Sequence, residues 1–117
     1  EMIRDTVGAI LAAAGYEVEF AEDGREAIDM YARAVSSSRP FDLIVMDLTI
    51  PGGMGGKEAI KALHSLYPGV KAIVSSGYSS DPVMADHEKY GFDGMIIKPY
   101  TTYSLTKIVS AVIGKQP

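Results

Sequence analysis

The sequence contains no cysteine and no tryptophan, and only two histidines. Without cysteine there is no disulfide framework, no thiol nucleophile and no thiolate metal site. His64 and His87 stand well apart in the chain, so a His-rich metal site is not expected. Basic residues are also few. Lysine and arginine number 11 against 15 aspartates and glutamates, for a net charge of −4. That balance argues against a nucleic-acid surface, which normally clusters Lys and Arg. Apolar stretches such as residues 43–46 are short, far below the roughly 20 residues that cross a bilayer. No signal-peptide pattern opens the chain. The expectation is a cytoplasmic protein that touches neither nucleic acid nor membrane directly.

What is present fits a folded domain. The chain has 117 residues, of which 47% are hydrophobic and 22% charged. These values match a single soluble domain with a sizeable core. Ile3, Val7, Ile10, Leu11 and Ala14 recur at helical spacing, with Gly15 as a stop. Residues 17–20 alternate polar and apolar, which predicts a short strand carrying Val18 and Phe20 on one face. Asp23 and Glu26 form a start resembling a capping box. Ala27, Ile28, Tyr31, Ala32 and Val35 then mark a second helix. The apolar run at 43–46 is bounded by Asp42 and Asp47, as in a strand covered on both faces. Ala59, Ile60, Leu63, Leu66 and Tyr67 predict a third helix, and residues 70–74 a further buried strand. Residues 81–90 read as a helix with a weak apolar stripe, and 94–97 as a short strand. Leu105, Ile108, Val109, Val112 and Ile113 give the final helix. Strict alternation of helices and strands implies βαβ units, a parallel sheet and helices on both faces.

In such a sheet, function collects outside the carboxyl ends of the strands. Three polar residues fall there: Asp47 after 43–46, the Ser75-Ser76 pair after 70–74, and Lys98 after 94–97. Each has a plain structural reading. An Asp after a strand commonly caps the next turn, a Ser satisfies local backbone groups, and a Lys is most often a solvated charge. Together they offer a carboxylate nucleophile, a hydroxyl donor and a point charge. Phosphoryl transfer asks a protein mainly for such positioning and charge neutralisation. The glycine-rich stretch 51–56 matches neither dinucleotide-binding nor P-loop patterns, because Gly56-Lys57 is followed by Glu58. It reads as a loop beside the active edge. The methionines read as core gap-fillers, and His64 and His87 as surface residues. The bond from Lys98 to Pro99 is a candidate cis peptide.

The stretches Ala-Glu-Asp-Gly at 21–24, Phe-Asp-Leu-Ile-Val-Met-Asp-Leu at 41–48 with Pro51, Ser-Ser-Gly at 75–77 and Gly-Met-Ile-Ile-Lys-Pro at 94–99 resemble the response-regulator receiver family of two-component systems. The resemblance spans nearly the whole chain, treated as one receiver domain over residues 1–117. It implies a flavodoxin-like, five-stranded, doubly wound α/β fold with strand order 2-1-3-4-5. It implies Asp47 as phosphoacceptor, Lys98 as the lysine that contacts the phosphoryl group, and Ser76, rather than Ser75, as the switch hydroxyl. It also implies Mg²⁺, bound by Asp47, the backbone carbonyl of Thr49 and a pair of acidic residues after the first strand. The implied partner is a histidine kinase or a phosphotransfer domain. The Ser-Ser-Gly-Tyr and glycine-rich stretches look similar to receivers of hybrid sensor histidine kinases.

Two departures from the family pattern carry expectations of their own. The sequence opens inside the family's first helix, so strand one and the acidic pair are expected to be absent and Mg²⁺ affinity weakened or lost. The domain is then N-terminally incomplete, or completed as a homodimer or a strand-completed oligomer. Met95 stands where an aromatic residue often reports the switch, which puts that coupling in question. The alternative to a phosphoacceptor is a pseudo-receiver, a protein-interaction module that is never phosphorylated. A flavodoxin-like cofactor binder is a second rival on the same architecture.

Overall fold

A computed structural model describes residues 2–21, 24–47, 56–76, 86–98 and 100–114. Chain order over these residues is α1 (Met2–Ala13), α2 (Gly24–Ser36), β1 (Ile44–Asp47), α3 (Gly56–Leu66), β2 (Ala72–Ser76), β3 (Gly94–Ile97) and α4 (Thr102–Ile113). The three strands form one parallel sheet in the order β1-β2-β3. Its register pairs Ile44 with Ala72 and Asp47 with Ser75, then Ser75 with Ile96 and Ser76 with Ile97.

Side-chain alternation along the strands splits the core into two clusters. Met46, Ala72 and Val74 face Tyr31 of α2 and Ala59, Ile60 and Leu63 of α3. Ile73 and Ile96 face the other way, against Leu11 of α1 and Leu105, Val109 and Val112 of α4. Helices therefore cover both faces, as the alternation of elements predicts. This is why β2 reads as an unbroken apolar run that ends in two serines: all five of its residues are buried. Burying both sides of a strand removes its side chains from water whichever way they point.

Local chemistry sets the helix ends. Gly15 takes φ +99°, a left-handed position that suits glycine and stops α1. Thr101 caps α4: its side chain accepts from Ser104 N at 3.0 Å while Ser104 Oγ accepts from Thr101 N at 2.9 Å. Lys71 Nζ donates to Ile113 O at 2.8 Å, placing a cation at the carbonyl end of α4. Asp93 tethers the start of β2 twice, with its N donating to Ala72 O and its carboxylate accepting from Ala72 N.

Three expectations need correction. Residues 17–20 form no strand. A ladder needs a neighbour, and in the 2-1-3-4-5 order the neighbour of this segment is strand one; the sheet of the described residues holds no such strand beyond β1. Val18 still packs with the α1 and α4 cluster, so the apolar half of the alternation is satisfied without pairing. Residues 86–90 are successive turns rather than helix, with Lys89 N, Tyr90 N and Gly91 N each bonding three residues back; residues 81–85 lie outside the described set. The helical stripes also reach less far inward than their spacing predicts, since Val35 and Leu66 are 40% and 60% exposed at the last turns of α2 and α3.

Candidate functional site

Parallel pairing puts every strand's carboxyl end on one edge. Asp47 is the last residue of β1, Ser76 the last of β2, and Lys98 follows β3 directly. Adjacent strands lie about 4.8 Å apart, so the three chain positions fall within roughly 10 Å of one another across the sheet. Lys98 N donates to Ser76 O at 2.9 Å, which carries the β2–β3 ladder one residue past the strand and fixes the lysine's backbone at the edge. Ser76 is 1% exposed and Lys98 half-buried. Thr49, Pro99 and most of the glycine-rich loop lie outside the described residues. The carbonyl assigned to the metal, the peptide isomer before Pro99 and the loop reading therefore all fall beyond them.

The two serines point to opposite faces. Ser76 shares its parity with Ala72 and Val74 and faces the α2 and α3 side, while Ser75 shares parity with Ile73 and faces α1 and α4. Ser75 is fully buried, and its Oγ lies 2.9 Å from the Tyr100 hydroxyl. A buried hydroxyl without a partner costs about 1–3 kcal/mol; here Tyr100 removes that cost. Nothing in the sequence marks Tyr100 as part of this edge beyond its being an aromatic two residues past Lys98, and which of two adjacent serines it meets depends on the pleat.

Toward the opposite edge, where β2 and β3 begin, the two histidines are not surface residues. Both are half-buried. His64 Nε2 sits 2.7 Å from Gly91 O; a carbonyl only accepts, so Nε2 carries the hydrogen. His87 Nδ1 is buried with no hydrogen-bond partner among the described residues. Of the methionines, Met46 is 6% exposed and Met95 packs against the same α2 and α3 cluster, in keeping with gap-filling. Among the described residues no three His, Cys, Asp or Glu side chains gather as metal ligands, and no helix is long and apolar enough to cross a membrane.

Comparison with known proteins agrees with this geometry. The family model described as the response regulator receiver domain matches residues 1–110. The chemotaxis protein CheY of Thermotoga maritima is 33% identical over 104 residues, covering 88% of this chain and 82% of its own length. Against several other curated response regulators the chain spans only about half of their length, between 46% and 50%. A CheY-like receiver domain protein from Methanospirillum hungatei superposes with a TM-score of 0.80 at 29% identity, over 96% of this chain and 85% of that one. The Thermotoga maritima response regulator TrrA, solved in complex with Mg²⁺ and beryllium fluoride, gives 0.78 at 25% identity, over 95% and 90%. A family match over nearly the whole chain, a flavodoxin-like fold shared with these structures, and polar residues on the carboxyl edge lead to one conclusion: the chain belongs to the response-regulator receiver domain family of two-component signalling.

Proposed function

We propose that this domain accepts a phosphoryl group on Asp47 from the phosphohistidine of a histidine kinase or phosphotransfer domain. A carboxylate oxygen of Asp47 attacks phosphorus, the P–N bond to the donor imidazole breaks, and the imidazole leaves with a proton from solvent. Lys98 offsets the charge of the transferring group, and the Ser76 hydroxyl donates to one of its oxygens. The observation that carries this reading is the arrangement of β1, β2 and β3, whose adjacent carboxyl ends present Asp47, Ser76 and Lys98. The phosphate then shifts the population of two arrangements of this edge and so alters partner binding.

Receivers resembling this one are associated with Mg²⁺, as TrrA is. Mg²⁺ prefers octahedral oxygen ligation with one or two carboxylates and retained waters. Among the described residues no three His, Cys, Asp or Glu side chains gather as ligands, and no step above runs through the ion; Asp47 would supply one carboxylate to it.

The test is labelling of the full-length protein by acetyl phosphate with Mg²⁺ in the buffer, read as a one-phosphoryl gain in intact mass. The expected result is labelling of the wild type and none of Asp47→Asn. Labelling that persists in Asp47→Asn refutes the site. An unlabelled wild type supports the pseudo-receiver, an interaction module without phosphotransfer.

A further inference from the structure

Lys98 and Tyr100 are both tied to one dipeptide of β2. Lys98 N bonds Ser76 O at 2.9 Å. Tyr100 OH bonds Ser75 Oγ at 2.9 Å on the opposite face of the sheet. Ser75 is 0% exposed and occupies the register row between Asp47 and Ile96. Tyr100 packs its ring against the α1 and α4 cluster and directly precedes Thr101, the cap of α4. Lys98 and Tyr100 are therefore both anchored to β2, one through the backbone ladder and the other through a buried hydroxyl pair.

We infer that Tyr100, through its hydrogen bond to Ser75, is a positioning residue that holds Lys98 in place for phosphoryl transfer. The inference rests on Asp47 being the phosphoacceptor. Strand β2 is otherwise apolar up to its serines. A Val or Ala at position 75 would fill the site without needing a partner, so the hydroxyl serves whatever Tyr100 does there. Forming the bond gains little net stability over water, although losing one hydroxyl leaves the other buried without it. It is worth more as geometry, since a displaced charge loses transition-state stabilisation steeply with distance.

The experiment measures acetyl-phosphate labelling rates of the full-length protein with Mg²⁺, well below the unfolding midpoint of every variant. Tyr100→Phe keeps the ring and removes one hydroxyl; Ser75→Ala removes the other. Each is expected to slow labelling roughly five- to tenfold, the rate equivalent of one net hydrogen bond. The double variant should be no slower than either single one. In a Lys98→Met background, Tyr100→Phe should slow labelling no further, which a general loss of packing would not reproduce. Wild-type rates in Tyr100→Phe, or an undiminished effect of Tyr100→Phe in the Lys98→Met background, overturn the positioning role and leave the Asp47 reading intact. Labelling that persists in Asp47→Asn overturns both.

Discussion

At the scale of single residues, neighbours in sequence have opposite fates. Ser75 and Ser76 differ by one step of the pleat, and that step sends one hydroxyl to Tyr100 and the other toward the α2 and α3 face. Residue types at strand ends made the edge positions of Asp47, the Ser75-Ser76 pair and Lys98 legible in the sequence, because hydrophobic runs alone assign them there; the choice of Ser76 came from the family resemblance. Tyr100 was not legible, because its partner depends on which face a loop returns to. Tyr31 shows a similar limit. Its helical stripe position was evident, but its surroundings come from two separate segments: Tyr67 at a ring distance of 5.0 Å, and the adjacent Phe41, at 6.4 Å, and Asp42 with its nearby charge. Burial first, then the fields of Tyr67 and Asp42, raises its phenol above the usual 10.0. The folded state thus holds this proton more tightly than the unfolded chain does. The resulting stabilisation is present below that ordinary value and is lost as pH rises through the folded value. Denaturant unfolding across this alkaline range should show a decline in stability that is shallower in Tyr31→Phe. Equal slopes in the two proteins would contradict the assignment.

At the scale of elements, spacing located the helices and strands well and their ends less well. β3 falls where its short apolar run predicts, and β2 is shifted two residues toward its serines. The segment 17–20 has strand-like alternation but no ladder, since alternation encodes a buried face and says nothing of a partner. The composition of residues 86–90 predicts a helix because nothing in it forbids one, yet they form turns. What holds them is remote: His64 of α3 bonds Gly91 O, and Phe92, at 2% exposure, anchors the following residue in the core. Gly91 takes φ +102°, and a Cβ there would lie 2.9 Å from His64 Cδ2 and 3.2 Å from its Nε2. Both strain and clash oppose any side chain. Gly91→Ala should therefore destabilise the fold by about 2 kcal/mol, from a backbone penalty of order 1–3 kcal/mol, measured by urea unfolding. A neutral or stabilising effect would show that this turn is not held as described.

At the scale of the whole molecule, two apolar clusters clamp three parallel strands, and the clamp delivers three polar residues to one edge. That much follows from strand periodicity and helix stripes. The choice of family needed the set of motifs in order, and the match over residues 1–110 bears it out. Several relatives extend well beyond the stretch that they share with this chain. The central claim is that Asp47 carries the phosphoryl group. Peptide mapping of acetyl-phosphate-treated full-length protein by tandem mass spectrometry tests it most directly. The account predicts one hydroxylamine-labile phosphoryl group on the peptide containing Asp47. A stable label on another residue, or the same label in Asp47→Asn, would contradict it.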